Sequence, residues 1–181
     1  MPGFSALSRQ LRPLVLLLVA GAFAAPAIGA AQEKLERVEL PSLAKGEVVL
    51  EIATPAGTQQ YDLATLEAIG TYRITTRSAF DQESPTFDGV LLSDLLDEAG
   101  LKDAPEVLVT ALDDYSSAIP REDWTAYPVM VATRQDGKLL RDDERGPLRI
   151  VYPLSFYPEL DDEVYHARWV WSLKQIKAVE P

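Results

Sequence analysis

The chain has 181 residues, of which 47% are hydrophobic and 25% charged, a composition typical of a single globular domain. Its formal net charge of −11 argues against binding to nucleic acid or to anionic membrane surfaces. The sequence contains no Cys, which excludes disulfides, thiolate nucleophiles and thiolate metal ligands.

The N-terminal segment has the features of an export signal. Arg9 and Arg12 precede an apolar run, 14–24, that is shorter than a membrane span requires, and small residues follow it. We expect a signal peptide over 1–31, a periplasmic or secreted protein, and no transmembrane span after cleavage; an uncleaved anchor is the alternative. Cleavage removes two Arg and no acidic residue, so the mature charge is −13. Such an acidic surface favours a basic protein partner.

The first part of the mature chain predicts short strands and one helix. Residues 32–46 are polar and contain Pro, so we expect a flexible lead-in to one domain over 47–181. Asp62 is suited to cap a short helix that Gly70 ends. The strands predicted here lie at 48–52, 59–63 and 72–76.

The rest of the chain continues in short elements. Residues 87–90 predict a turn that leads into a helix. Ser93 or the residue before it is expected to cap this helix, and Gly100 to end it. Few helices and no regular strand–helix alternation predict an α+β domain with a mixed β-sheet. The other predicted elements are strands at 107–111, 116–119, 129–132, 148–152 and 173–179, a turn at 113–115, a helical turn at 121–124 and an Asp-Gly hairpin at 136–137.

Five runs, in this order, resemble the oxidoreductase molybdopterin-binding domain, the catalytic fold of the sulfite oxidase family. The first, TFDGVLLSDLLDEAGL, is similar to the family pattern aromatic-x-Gly-Val-x-Leu-x-x-Leu-Leu-x-x-x-Gly. The others are VLVTALDDYSSAIP, VMVATRQDGKLL, GPLRIVYP and RWVWSLKQI. The resemblance extends from Val48 to Val179 and implies a sulfite-oxidase-type fold with molybdopterin as cofactor.

The sequence departs from that family at its metal site. Family enzymes hold molybdenum through a Cys thiolate on a strand upstream of the Gly-Val-x-Leu helix. Here that region, TYRITTRSAF, offers only hydroxyls, which are poor substitutes for a thiolate on a soft, high-valent metal. The chain also has a single His, and Val-Trp where Lys-Trp is typical. It resembles the small, stand-alone exported members, so we expect no metal and no bound cofactor.

Four candidate ligand-binding residues lie in segments that the resemblance places around the pocket. Thr76 and Arg77 occupy the region of the missing metal ligand, and are either an anion or pterin site or a solvated strand end. Asp114 and Tyr115 fall in the turn that lines the family's pocket, although local hydrogen bonding also explains an Asp-Asp-Tyr turn.

Three further candidates follow from charge and aromaticity near the C-terminus. Arg149 interrupts an apolar run, so a covered strand would require an anion or an internal partner such as Asp113, Asp114 or Glu122. His166 is a ligand or a surface residue. Arg168 is either a ligand or cofactor contact or a residue that stacks on a Trp or Tyr ring.

These residues support three hypotheses and no assigned catalytic group. The first is a non-catalytic binding or accessory module for a small anionic ligand, or for a basic or membrane-bound partner. The alternative is an oxidoreductase that holds molybdopterin through Arg77, Arg149 and Arg168 without a Cys. The third is an interaction protein whose Arg149 pocket is filled by protein side chains.

Overall fold

A computed structural model of the chain describes residues 35–78, 80 and 83–179. The predicted signal peptide, 1–31, lies outside the described residues. The elements in chain order are β1 (Glu36–Arg37), β2 (Leu50–Thr54), β3 (Gly57–Tyr61), α1 (Leu63–Ile69), β4 (Tyr72–Thr75), β5 (Thr86–Leu91), α2 (Leu92–Glu98), β6 (Glu106–Ala111), β7 (Ser116–Pro120), α3 (Arg121–Ala126), β8 (Met130–Gln135), β9 (Lys138–Leu139), β10 (Arg149–Val151), α4 (Glu163–His166) and β11 (Leu173–Ala178). Short 3-10 turns lie at Asp142–Glu144 and Pro158–Leu160.

The strands form two sheets. The first has the order β1-β4-β5-β8-β10, with β9 paired to β8, and all its pairs are antiparallel. The second has the order β3-β2-β11-β6-β7, in which β11 runs parallel to β2 and antiparallel to β6. The four helices that the described residues form are all short. The α+β class with a mixed sheet is therefore confirmed.

The chain joins the two sheets just before its last strand. Ile150 N donates to Val170 O at 2.8 Å, and Leu173 N donates to Leu148 O at 3.0 Å, so residues 170–173 run beside β10. Leu173 then begins β11 in the second sheet. The aromatic residues at 169 and 171 are thereby held at the junction of the sheets.

The core is apolar and continuous. β8 is buried from Met130 to Arg134 because β5 and β10 cover its edges, and α2 buries Leu92, Leu95 and Leu96. A fully buried Leu side chain contributes about 2 kcal/mol by removal from water. The one-sided apolar spacing of α2 therefore fixes which face it turns to the sheets.

The segment 87–90 is a strand, so the prediction of a turn there is wrong. Asp88 is fully buried, and Arg73 on the neighbouring strand neutralises it through hydrogen bonds of 2.6 and 3.0 Å. A Cβ at Gly89 would lie 2.2 Å from Val131 O, so Gly is required for the close approach of β8. Asp-Gly is a frequent turn signal, but here it serves strand pairing.

Helix capping agrees with the sequence in one case and not in another. Asp62 caps α1 as predicted, since Thr65 N donates to its Oδ1 at 2.7 Å and its own N donates to Thr65 Oγ1 at 2.9 Å. Hydrogen bonds from Thr65 lower the pKa of Asp62 to about 2. The prediction of a cap at or just before Ser93 is wrong, because β5 leads directly into α2 from Leu91 and Val129 O accepts from Leu92 N at 2.8 Å.

The remaining predicted strands and the Asp-Gly hairpin lie within a few residues of their predicted positions. The stretch expected as a lead-in contributes β1, whose residues pair with Arg73 and Tyr72. In the part of the chain that the structure describes, no helix has the length and apolarity to cross a membrane.

Candidate functional site

A pocket of about 480 Å³ lies at the junction of the two sheets. Phe80 comes from the loop after β4, Tyr115 from the turn between β6 and β7, and Trp169 and Trp171 from the segment that precedes β11. His166 and Glu163 of α4, with Asp113, Ala111 and Ala167, complete the lining. We refer to it as the aromatic pocket.

The rings of the aromatic pocket are braced by one another and by the backbone. Phe80 meets Trp171 edge to face, with ring centroids 4.7 Å apart, and lies 6.4 Å from the His166 ring. Tyr115 Oη donates to Ala167 O at 2.7 Å, which ties the 113–115 turn to the end of α4. Trp169 is 3% exposed and packs against Phe87 in the core. Only Phe80 and Tyr115 are therefore well exposed to solvent among these four rings.

A chain of polar contacts borders the pocket beside His166. Arg77 Nη2 donates to Asp161 Oδ2 at 2.6 Å, and His166 Nε2 lies 3.0 Å from Asp161 Oδ1. The hydrogen bond and charge of Arg77 hold the pKa of Asp161 below its ordinary value. Arg77 is thus committed to a carboxylate of its own chain, and Asp161 orients the imidazole.

Thr76 has a structural role in the same corner. Its side chain is fully buried, its Oγ1 accepts from Ser155 N at 3.0 Å, and the same hydroxyl donates to Arg77 O at 3.3 Å. Arg77 N in turn donates to Ser155 Oγ at 2.9 Å. This hydroxyl, in the region where the resemblance places the family's thiolate, therefore fastens the β4 exit to the 155 loop.

Asp114 and Tyr115, adjacent in sequence, have different roles. Asp114 adopts a left-handed conformation with φ 67° and accepts from Lys174 Nζ at 2.6 Å. The hydrogen bond and charge of Lys174 lower the pKa of Asp114. Tyr115 lines the aromatic pocket and Asp114 does not, while its neighbour Asp113 does.

Arg149 lies in a second cleft of about 520 Å³ rather than in the aromatic pocket. Its Nη1 donates to Gln135 Oε1 at 3.0 Å, and its guanidinium carbon lies 5.7 Å from the Phe87 ring centre. The acceptor comes from the adjacent strand β8 and is none of the three carboxylates considered from the sequence. Lys138 and Arg145 line the same cleft, together with Asp136 and Asp143.

Arg168 is directed into the protein on the side of α3. Its Nη1 donates to Asp123 Oδ2 at 2.7 Å, and Tyr152 Oη donates to the same oxygen at 2.7 Å. Burial raises the pKa of Tyr152 well above its ordinary value, so the phenol keeps its proton. The guanidinium carbon of Arg168 also lies 5.1 Å from the Tyr165 ring centre, which is the stacking contact considered as the alternative to ligand binding.

The candidates therefore separate into three places. The first is the aromatic pocket, lined by Tyr115 and His166, with Arg77 meeting His166 at Asp161 on its edge. The second is the cleft where Arg149 binds Gln135, and the third is the cluster where Arg168 binds Asp123. The sequence does not identify Phe80, Asp161 or Asp123. Phe80 and Asp161 follow no local pattern, and the buried position of Asp123 depends on Tyr152, which is 29 residues away.

The side chains at the family's metal position do not fit a thiolate-held molybdenum. The chain has no Cys, and the Thr76 hydroxyl is used by Ser155 N and Arg77 O. Within residues 35–78, 80 and 83–179, no group of three or more His, Asp or Glu is placed to hold a metal ion. The thiolate that the family resemblance implies as the molybdenum ligand is a donor that this corner does not supply.

Comparisons with known proteins agree with the architecture. Residues 59–180 match the family model described as oxidoreductase molybdopterin binding domain. The fold is similar to the crystal structure of the sulfane dehydrogenase SoxCD from Paracoccus pantotrophus, with a TM-score of 0.56 and 19% identity over 78% of this chain. The match spans 40% of the SoxCD chain. Among curated proteins, none has significant sequence similarity to this chain.

The family model covers well over half of the chain, and the runs from TFDGVLL to RWVWSLKQI all fall inside it. The residues that depart from the family, at the position of its thiolate, lie within the same matched range. This chain therefore belongs to the oxidoreductase molybdopterin-binding domain family.

Proposed function

We propose that this protein is an exported, non-catalytic binding module that keeps the family fold and uses the aromatic pocket as its ligand site. The observation that carries the proposal is the commitment of Thr76: its hydroxyl, in the region of the family's thiolate, bonds Ser155 N and Arg77 O. The side chain is also fully buried, so its hydroxyl serves the protein and is not presented to a ligand.

The pocket has the character of a binding site. Its volume of about 480 Å³ is within the range of small-molecule sites, and apolar rings make up most of its walls. Its walls come from both sheets and from α4, so the fold itself sets their spacing. A site of this kind binds by shape and ring contact.

The polar groups beside the pocket are arranged for structure more than for chemistry. His166 is the sole imidazole of the chain, and its Nε2 faces Asp161, which is already bound to Arg77. General acid–base catalysis needs a group free to exchange a proton with a substrate, and nucleophilic catalysis needs an activated nucleophile. Arg77 and Asp161 are already paired with each other, so the described geometry supports neither role for these two residues.

An anionic ligand, the class expected from the sequence, would fit the second cleft better than the aromatic pocket. Lys138, Arg145 and Arg149 line that cleft, although Asp136 and Asp143 offset part of their charge. The aromatic pocket has Asp113 and Glu163 as its charged lining. The alternative hypothesis, molybdopterin held by Arg77, Arg149 and Arg168, requires cations that have three different partners.

Metal analysis of the protein purified from its own cells tests the proposal. We expect less than about 0.05 molybdenum atoms per chain and recovery in the exported fraction, with the N-terminal residues removed. A molybdenum content near one atom per chain, lost on unfolding, would show that the binding-module assignment is wrong and support the oxidoreductase alternative. Thr76→Val is the matched variant; because it also removes the bonds to Ser155 N and Arg77 O, a loss of metal would indicate a ligand role only in protein that remains as well folded as the parent.

A further inference from the structure

We infer that the aromatic pocket binds a small organic ammonium ion. The inference rests on the proposed binding function and adds the charge and shape of the ligand. Four aromatic residues, Phe80, Tyr115, Trp169 and Trp171, line the pocket. The faces of such rings are negative, and aromatic cages are a common way to recognise quaternary ammonium groups.

The formal charges of the lining have the sign that a cation requires. Asp113 and Glu163 are exposed carboxylates, and no Lys or Arg is among the described lining residues. An anion entering the pocket would meet two like charges, whereas a cation would be attracted by both. The two carboxylates of the lining together carry a formal charge of −2.

Two of the neighbouring cations are each paired with a carboxylate outside the lining. Arg77 is bound to Asp161 at 2.6 Å, and Lys174 is bound to Asp114 at 2.6 Å. Each of these pairs is close to neutral as seen from the pocket. The acidic mature chain, at −13, would also draw a cation toward the molecule.

The protein already makes one contact of the proposed kind in the same wall. The guanidinium carbon of Arg145, which belongs to the second cleft, lies 3.9 Å from the ring centre of Trp171. The Trp171 ring can therefore hold a cation in this fold. Arg145 uses one ring surface, so the ligand would depend on the remaining rings, above all on Phe80, which is 50% exposed.

The size of the pocket limits the ligand to a compact cation with a modest substituent. A tetramethylammonium-sized group fills only part of about 480 Å³, so an attached hydroxyalkyl or similar arm can also be accommodated. Choline is a suitable probe because it combines both features. Its uncharged isostere 3,3-dimethylbutan-1-ol has the same shape and isolates the contribution of charge.

Calorimetric titration of the full mature protein tests the inference, with choline, tetramethylammonium, the isostere and acetate compared at fixed ionic strength. We expect choline to bind about tenfold more tightly than the isostere, because one cation–π contact beside two carboxylates favours the charged ligand by about that factor. Because Phe80 is exposed, Phe80→Leu should leave the fold intact. It should weaken choline binding severalfold and should change isostere binding little. The double variant Asp113→Asn, Glu163→Gln should reduce the preference for choline. Asp97→Asn, an exposed carboxylate on α2, is the matched control and should have no effect.

The outcomes separate this inference from the proposed function. Equal binding of choline and the isostere would overturn the cation assignment and leave a binding module for neutral ligands. Tighter binding of acetate would also overturn it and direct attention to the second cleft. Binding of choline that survives Phe80→Leu and the double variant would place the cation elsewhere. If no probe binds the folded protein at millimolar concentration, the cation inference fails, while the metal content still tests the proposed function independently.

Discussion

Two clusters of this domain combine arginine, carboxylate and aromatic side chains and yet differ in what they do. At Asp123, the partner Tyr152 is buried and Arg168 is partly buried, and the side chains of Arg168 and Asp123 are 18% and 4% exposed. At Asp161, the partners Arg77 and His166 lie at the surface, and the ion pair is 42% and 40% exposed. The Asp123 cluster contributes no residue to the aromatic pocket, whereas His166 of the exposed cluster lines it.

The difference follows from the path of one stretch, 152–171. Tyr152 and Arg168 turn toward α3, while Asp161, His166 and Trp171 turn toward the loop that carries Phe80. An arginine in an aromatic sequence context therefore says little about binding until its partner is known. Burial decides whether its charge serves stability or remains accessible.

The largest expected effect is the loss of stability on Asp123→Ala. The substitution leaves the Arg168 cation and the Tyr152 hydroxyl without their shared acceptor in a largely buried position. Removing one partner of a buried ion pair costs about 3 kcal/mol or more of unfolding free energy. Urea unfolding followed by Trp fluorescence measures it. Asp143→Ala, which breaks the exposed contact with Arg141, is the control and should cost less than about 1 kcal/mol.

A similar cost for both substitutions would remove the contrast on which the comparison depends. The same would follow if Asp123→Ala abolished ligand binding in protein that remains folded, because Asp123 would then belong to the binding site. The expected result is a less stable protein whose choline affinity, measured well below its unfolding midpoint, is unchanged.

The fold was largely predictable because its elements have local signals. The Asp62 cap, the Asp-Gly hairpin at 136–137 and the apolar run of β8 each act within a few residues. The segment 87–90 was not predictable in this way. Its Asp and Gly are explained by Arg73 and Val131 on neighbouring strands, and no local rule contains those contacts.

The site was less predictable for the same reason. Tyr115 and His166 line the pocket, but the sequence cannot show that Arg149 meets Gln135, or that Arg168 meets Asp123, 45 residues away. Side-chain partners across such separations are set by sheet order and by the junction at 170–173. A count of cations in sequence therefore overestimates the charge available to a ligand.

Thr76→Val is expected to have an intermediate effect on stability. It tests the structural role of the hydroxyl that lies in the region of the family's Cys ligand. Valine keeps the shape of the buried side chain but leaves Ser155 N without its acceptor at 3.0 Å. We expect a loss of about 1 kcal/mol in unfolding free energy. Thr76→Ser retains the hydroxyl and should recover most of the hydrogen-bond contribution. If both variants were as stable as the parent protein, the hydroxyl would not fasten the 155 loop. A role for it in binding a ligand would then have to be tested.

The smallest effect is expected from Arg77→Gln, and it should depend on pH. Arg77 holds the pKa of Asp161 below the ordinary value of 3.8, so the pair stabilises the folded protein above that pH and loses this contribution as the pH falls through the lowered pKa. The variant should be slightly less stable than the parent at pH 7, and the two should converge in acid. Carboxyl-carbon NMR should show the Asp161 pKa rising toward its ordinary value in the variant. Because both partners are about 40% exposed, solvent screens the pair and the stability difference stays small. An unchanged Asp161 pKa would mean that His166, and not Arg77, sets the electrostatics at the edge of the pocket, and the exposed cluster would then be organised by its imidazole.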